Sequence, residues 1–331
     1  MSRLFLAPME GLADCVLRDV LTQVGGYDGA CSEFVRVSGS LLPERMFRRV
    51  APELENNSRT PAGTPVVVQL LGSDPDLMAA NAARLSTLAP VGIDLNFGCP
   101  APTVNRHGGG ATLLDDPALM ARITGAVRQA VPATIPVTAK MRLGVQHPDN
   151  AVVCAQALAS GGVASLVVHA RTRDEGYRPP AHWEWIARIR AALSIPVIAN
   201  GEVWSPADYQ RCLTVTGCDD VMIGRGAVAD PFLARHIRAF RDGQMAFDRQ
   251  AEWRELQPLL GHFWQKVQGR VTPRYAPGRL KLWLNALRTT FVEAEMLYWA
   301  IRPLRSVEEV SACLAAHGIV SPAEISVQEP T

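Results

Sequence analysis

The chain has 331 residues, 48% hydrophobic and 20% charged, a balance that excludes a mostly disordered scaffold and allows a sizeable core. Its 33 basic and 32 acidic side chains leave a formal net charge of +1, so a nucleic-acid partner would need a local patch, not a global field. At about 100–200 residues per domain, the length admits two domains or one large barrel with an appendage. Only three of the basic residues are lysines: Lys140, Lys266 and Lys281. Seven cysteines are scattered, with no C-x-x-C pair, which supports neither a zinc ribbon nor a thioredoxin motif and speaks for a reduced, cytoplasmic setting, and no metal site is expected. The N-terminal apolar run is too short for a signal peptide. No stretch approaches the roughly 18 apolar residues of a membrane span.

In chain order, eight short apolar runs read as strands: Leu4–Ala7, Ala30–Val35, Val66–Leu71, Gly92–Asn96, Val137–Met141, Ser165–His169, Val197–Ala199 and Asp220–Ile223. Several lack polar alternation, as expected of strands buried on both faces of a parallel sheet. Helical patterns lie between them: Asp14–Gln23, Pro75–Leu88, Pro117–Val131, Ala151–Ser160, Trp183–Leu193, Pro206–Val215 and Pro231–Arg241. Asp116 before Pro117 and Ser205 before Pro206 have the form of N-caps followed by proline in the first turn. This order predicts an α/β fold, a (β/α)8 TIM barrel. An open doubly wound sheet is the alternative, weakened because no G-x-G-x-x-G follows the first strand. Near Gly243 the texture changes to helix alone: Glu252–Gln268, Leu280–Ala300 and Val307–His317. The expected organisation is a barrel domain over 1–243 and a helical, bundle-like domain over 244–331.

In such barrels chemistry sits at the C-terminal ends of the strands. The polar residues there are Glu10 after strand 1, Gln69 on strand 3, Asn96 and Cys99 at strand 4, Lys140 and Arg142 on strand 5, His169 and Arg171 at strand 6, Asn200, Gly201 and Glu202 after strand 7, and Gly224 and Arg225 after strand 8. The last two turns have the make-up of a phosphate cradle, or of ordinary βα glycines. Lys140 is a Schiff-base amine, a cation facing an anionic cofactor, or half of a structural ion pair. His169 is a site residue or a histidine satisfied by a carbonyl. Cys99, between Gly98 and Pro100 and followed by the Gly-rich loop Asn105–Ala111, is a proton donor, a nucleophile or a small apolar turn residue.

Together these segments resemble the tRNA-dihydrouridine synthases. The resemblance is carried by Ala7-Pro8-Met9-Glu10-Gly11, Val68-Gln69-Leu70-Leu71-Gly72, Asp94-Leu95-Asn96-Phe97-Gly98-Cys99-Pro100, Gly108-Gly109-Gly110-Ala111, Lys140-Met141-Arg142-Leu143-Gly144, Val168-His169-Ala170-Arg171-Thr172, Ala199-Asn200-Gly201-Glu202 and Ile223-Gly224-Arg225-Gly226, in the family's order. The chain is most similar to the C type, through Glu33-Phe34-Val35-Arg36-Val37, Gly176-Tyr177-Arg178 and Arg279-x-Lys281-x-Trp283-Leu284. That type acts on the D-loop uridine at tRNA position 16.

The resemblance implies noncovalent FMN with NADPH as reductant. It implies FMN contacts from Pro8, Met9, Glu10, Gln69, Lys140, His169, Asn200, Gly201, Glu202, Gly224 and Arg225, with Cys99 as the acid and Asn96 close to the uracil. Hydride from N5 of reduced FMN would reach C6, and Cys99 would protonate C5. Arg36, Tyr177, Arg279, Lys281 and Arg302 would touch tRNA. The C-terminal part adds a hint of its own. From Leu256 to Val292 there are six basic residues and no acidic one, interleaved with Trp264, Tyr275 and Trp283. Such a patch binds phosphates, or is a solvated helix face. The rival readings are a small-molecule FMN reductase, a lysine aldolase and a non-catalytic tRNA chaperone. No protein partner is evident, and a monomer is expected.

Overall fold

The apolar runs fold as eight parallel strands: β1 (Leu4–Leu6), β2 (Gly29–Arg36), β3 (Val66–Leu71), β4 (Ile93–Phe97), β5 (Val137–Arg142), β6 (Leu166–His169), β7 (Val197–Asn200) and β8 (Asp220–Ile223). Each pairs with the next, and β8 closes on β1. The structure is a computed structural model and describes residues 2–244 and 246–319. The expected TIM barrel is therefore present, followed by a helical C-terminal region.

Both faces of the strands are buried, which is why the runs lack polar alternation. Val66, Val68, Leu70, Ile93, Leu95 and Val137 are fully buried on the outer, helix-facing set. The alternate residues point inward. Phe5, Cys31, Val67, Val167, Ile198 and Met222 pack together inside the barrel. The rest of the interior is polar: the register places Gln69 beside Asp94 and Asp94 beside Thr138, with Asn96 beside Lys140 one step further on.

The helix starts follow the expected chemistry. Asp116 Oδ1 accepts from the Leu119 N–H at 2.9 Å, and Ser205 Oγ accepts from the Asp208 N–H at 3.1 Å. Asp74, before Pro75, caps in the same way. Glu44–Val50 is a further helix, too short to show a periodic pattern.

By packing, the chain divides into two units: Met1–Cys15 with Tyr27–Gly224, and Val16–Gly26 with Arg225–Thr331. In the second unit, the expected helix Leu280–Ala300 is two helices, Ala276–Leu287 and Val292–Ile301. Phe291 breaks the pattern: its backbone is extended (φ −118°, ψ 124°) and its ring is buried at 2% exposure against Trp253. Burying one large ring outweighs the few tenths of a kcal/mol that helix propensity offers there. Trp264 and Trp283 are also core residues, 5% and 1% exposed. They are not the RNA-facing aromatics that their spacing among basic residues suggested. The part of the expected helical domain beyond residue 319 lies outside the described residues.

Candidate active site

Gln69 of β3, Asp94 and Asn96 of β4 and Thr138 of β5 form one hydrogen-bonded chain. A bulge in β2 between Cys31 and Phe34 interrupts the ladder to β3. Ser32 Oγ fills the gap by accepting from the Gln69 N–H at 3.1 Å. Gln69 Nε2 donates to Asp94 Oδ2 and Asn96 Nδ2 donates to Gln69 Oε1, each at 2.7 Å. Asn96 Oδ1 accepts from the backbone N–H groups of Gly98 and Cys99, each at 2.9 Å. Cys99 thus stands at the end of a chain rooted inside the barrel.

The glycine-rich loop closes over the same cysteine. The carbonyl of Cys99 accepts from the Ala111 N–H at 3.0 Å and from Asn105 Nδ2 at 3.1 Å. Gly110 makes this approach at φ +62°, and a Cβ there would lie 2.7 Å from the Cys99 carbonyl oxygen. Only glycine combines that conformation with that proximity. The Cys99 side chain is nearly buried, and burial pushes its thiol above the ordinary range, against a backbone hydrogen bond from Ala101. It is therefore a protonated thiol at neutral pH.

On β5, Lys140 Nζ donates to Asn200 Oδ1 at 2.8 Å, and Asn200 Nδ2 donates to the Met222 carbonyl at 2.8 Å. Burial first, and the neighbouring Arg142 second, lower the lysine to about 8. Arg142 is 2% exposed and ties two loops together: Nε donates to the Gly98 carbonyl, and Nη1 to the carbonyls of Thr172 and Gly176. Its guanidinium lies 5.1 Å from the ring centre of Tyr177. That ring, 52% exposed, also faces the buried His169 at 6.1 Å.

Beyond β7, Glu202 adopts a left-handed backbone (φ 59°) and its carboxylate receives Arg171 and Trp204 Nε1. Gly201 (φ +117°) passes so close to His169 that a Cβ would lie 3.0 Å from the ring. Gly224 follows β8, with Ala7 and Met9 the atoms a Cβ would meet at 3.8 Å. Pro8, Met9 and Glu10 follow β1. Glu10 is exposed at its edge; partial burial of its carboxyl, then the like charge of Glu33, raises it to about 7. Arg36, at the end of β2, donates to the Thr103 carbonyl in the loop past Cys99. In the second unit, Arg225 opens the helix Arg225–Ala229 directly after Gly224. Arg279 and Lys281 lie on the helix Ala276–Leu287, and Arg302 follows Val292–Ile301, exposed, with its guanidinium 4.7 Å from the Trp299 ring centre.

Asp94 and Thr138, not singled out from the sequence, prove to be members of the constellation. The signal was available: a carboxylate and a hydroxyl two residues before Asn96 and Lys140, on the same inward face.

The fold and this polar cluster at the C-terminal rim define a (β/α)8-barrel enzyme. The model of the dihydrouridine synthase (Dus) family matches residues 5–268, and the chain belongs to that family of oxidoreductases. A relative in Ralstonia nicotianae, named tRNA-dihydrouridine(16) synthase, is 60% identical over 311 residues and covers 94% of each chain. One of the same name in Cupriavidus necator is 59% identical over 314 residues, 95% of this chain and 97% of the relative. Among solved structures, an old yellow enzyme homologue from Zymomonas mobilis aligns with a TM-score of 0.51 at 13% identity, over 74% of this chain and 90% of its own. That likeness concerns the fold alone. No helix of the described residues is long and apolar enough to cross a membrane.

Proposed function

We propose that this protein reduces uridine 16 in the D-loop of tRNA to 5,6-dihydrouridine, with noncovalent FMN and with NADPH as reductant. The observation that carries the reading is Cys99, whose backbone N–H is held by Asn96 and whose thiol is pushed up by burial, at the rim of a barrel whose relatives at 59–60% identity bear that name. The residues present fit a flavin mononucleotide. Gly201 and Gly224 leave bare backbone at the ends of β7 and β8, where a phosphate can approach closely. Lys140 would supply a cation to the reduced form of a bound flavin. A bound reduced flavin supplies the hydride equivalent.

The chain's own residues do the rest. The uracil C5=C6 bond is conjugated with the C4 carbonyl, so addition at C6 leaves an enolate that needs a proton at C5. The Cys99 thiol gives that proton and recovers it from water. Asn96 positions the thiol-bearing loop and lies beside the space the base enters. Tyr177, half exposed over His169 and Arg142, offers a face to the base. The uridine must leave its stack, at a cost of a few kcal/mol. Residues 1–243 form the catalytic domain in this reading. Residues 244–331 form a tRNA-binding domain, in which Arg279, Lys281 and Arg302 contact phosphate, with Arg36 contributing from the end of β2.

The test is position-resolved nucleoside analysis of tRNA from a strain lacking the gene. Dihydrouridine absent at 16 and retained elsewhere is the expected result. Loss at another position would reassign the site, and no loss at any position would favour a small-molecule reductase.

A further inference from the structure

The polarity of the Gln69–Asn96 amide chain is fixed at both ends. At the upper end, the backbone N–H groups of Gly98 and Cys99 can only donate, so Asn96 must turn Oδ1 to them, each at 2.9 Å. Its Nδ2 then faces Gln69 and needs an acceptor, which is Gln69 Oε1 at 2.7 Å. Gln69 is left with Nε2 pointing at Asp94 Oδ2, 2.7 Å away. The chain closes only if position 94 accepts. Asp94 meets that need and is itself held from the other side by Thr138 Oγ1, which donates to Oδ1 at 2.6 Å. Asp94 is 3% exposed and Gln69 fully buried, so no water can stand in for a misdirected partner, and a wrong amide flip would leave two donors facing each other inside the barrel.

We infer that Asp94 is a positioning residue for Cys99: acting as a hydrogen-bond acceptor at the base of the barrel, it satisfies Gln69 in the one orientation that the Gly98 and Cys99 donors allow, and so helps to hold the Gly98–Cys99 backbone in place. This rests on the reading of Cys99 as the proton donor only for its effect on turnover. The placement of the loop stands on the hydrogen bonds themselves. Asp94 contacts the reacting atoms through no bond of its own. Its neighbours from the other strands are Cys31 Sγ, 4.0 Å from Oδ2, and the cation of Lys140.

The chemistry of the relay dictates the test. Asp94→Asn can still work, because the new side chain's oxygen can accept from Gln69 while its amide nitrogen donates to the Thr138 hydroxyl. Thr138→Val can also work: burial pushes the Asp94 carboxyl up against the pull of Lys140, but in either protonation state one carboxyl oxygen can still accept from Gln69. The double variant cannot. The amide nitrogen introduced at position 94 has lost the threonine oxygen, so it is either buried without an acceptor or turned against Gln69, and both outcomes work against the one amide orientation that the Gly98 and Cys99 donors allow. The two substitutions are therefore expected to be strongly non-additive.

Two readouts are taken on each of the three variants: single-turnover uridine reduction, and the rate of Cys99 alkylation by iodoacetamide followed by peptide mass spectrometry. Each single variant is expected to stay within about threefold of the parent in both. The double variant is expected to lose more than about tenfold in reduction and to gain severalfold in alkylation. If its effect equals the product of the two singles, the relay is overturned. It is also overturned if Asp94→Asn alone is as impaired as the double, since the charge and not the accepted bond would then matter. Alkylation of the buried Cys154 and Cys212 alongside Cys99 would mark general loosening and overturn the specific relay. Non-additive alkylation with unchanged uridine reduction would leave the relay standing and remove Cys99 from the chemistry.

Discussion

Lys140 Nζ lies 2.8 Å from Asn200 Oδ1, so β5 and β7 are joined inside the barrel by a cation whose hydration has been largely stripped away. Burial first, and the charge of Arg142 second, lower the lysine from 10.5 to about 8. Between those values the unfolded chain holds a proton that the folded chain has released. Stability of the parent therefore rises with pH across that window. Lys140→Met is expected to stabilise the fold by about 1–2 kcal/mol at neutral pH, after allowance for the lost hydrogen bond and for water's access to the site, and to weaken flavin retention. Denaturant melts at neutral pH and at about pH 10 check the first part, and the flavin content of the purified variant checks the second. A variant no more stable than the parent at neutral pH would show that Asn200 repays the burial in full.

Cys99→Ala separates the two halves of the reaction. The variant should keep its flavin and oxidise NADPH. Uridine reduction should fall by about 10²–10⁴-fold, the usual loss on removing a positioned general acid. Stopped-flow measurement of each half-reaction decides. Turnover at the parental rate would mean that water or another group protonates C5.

His236 is a buried ionic knot in the helical unit. Its Nε2 is 2.5 Å from Glu252 Oε1 and its Nδ1 3.3 Å from Asp230 Oδ2, with Arg249 reaching both carboxylates at 3.0 Å. Burial alone would lower its pKa, but the hydrogen bonds to Asp230 and Glu252 prevail and raise it. The stabilisation is fully present below the unfolded value of about 6.5 and is lost as pH rises through the folded value. His236→Leu should cost about 2 kcal/mol at pH 6, because it leaves two buried carboxylates sharing Arg249 as their one remaining cation in this cluster, and should flatten the pH profile above neutrality. An unfolding free energy with the parent's slope in the variant would assign that slope to other groups.

The basic residues of the helical unit should not behave alike. Lys266 is paired with Asp19 at 2.5 Å, and His262 approaches the same carboxylate at 3.2 Å. Lys266→Ala should lower stability by about 1–3 kcal/mol and leave the salt dependence of tRNA binding unchanged. Arg279→Ala with Lys281→Ala should instead flatten the slope of log affinity against log salt by about one unit, each phosphate contact counting about 0.7. Lys281 already spends one donor on the Leu304 carbonyl, so its share is the smaller. Binding titrations at several salt concentrations would refute the assignment if the two variants moved together.

The amino-acid sequence by itself determined the barrel. Runs such as Val66-Val67-Val68 are apolar on both faces, a composition only a strand buried from both sides requires, and the caps at Asp116 and Ser205 act through neighbours three residues away. It also placed Gln69, Asn96, Cys99, Lys140 and Asn200 at strand ends, because strand order and the period of two put them there. What tertiary structure alone decided involves partners far apart along the chain. The charge of Lys266 is answered by Asp19, 247 positions away, so counting neighbours in sequence left it free. Trp264, Trp283 and Phe291 went to the core of the helical unit, where burying a large ring outweighs the local pattern around it. The direction of the amides from Asp94 to Cys99 belongs here too. Backbone donors past the end of β4 set the flip of both amides and a buried carboxyl satisfies the last of them, and only the closed barrel brings the two to opposite ends of one hydrogen-bonded line.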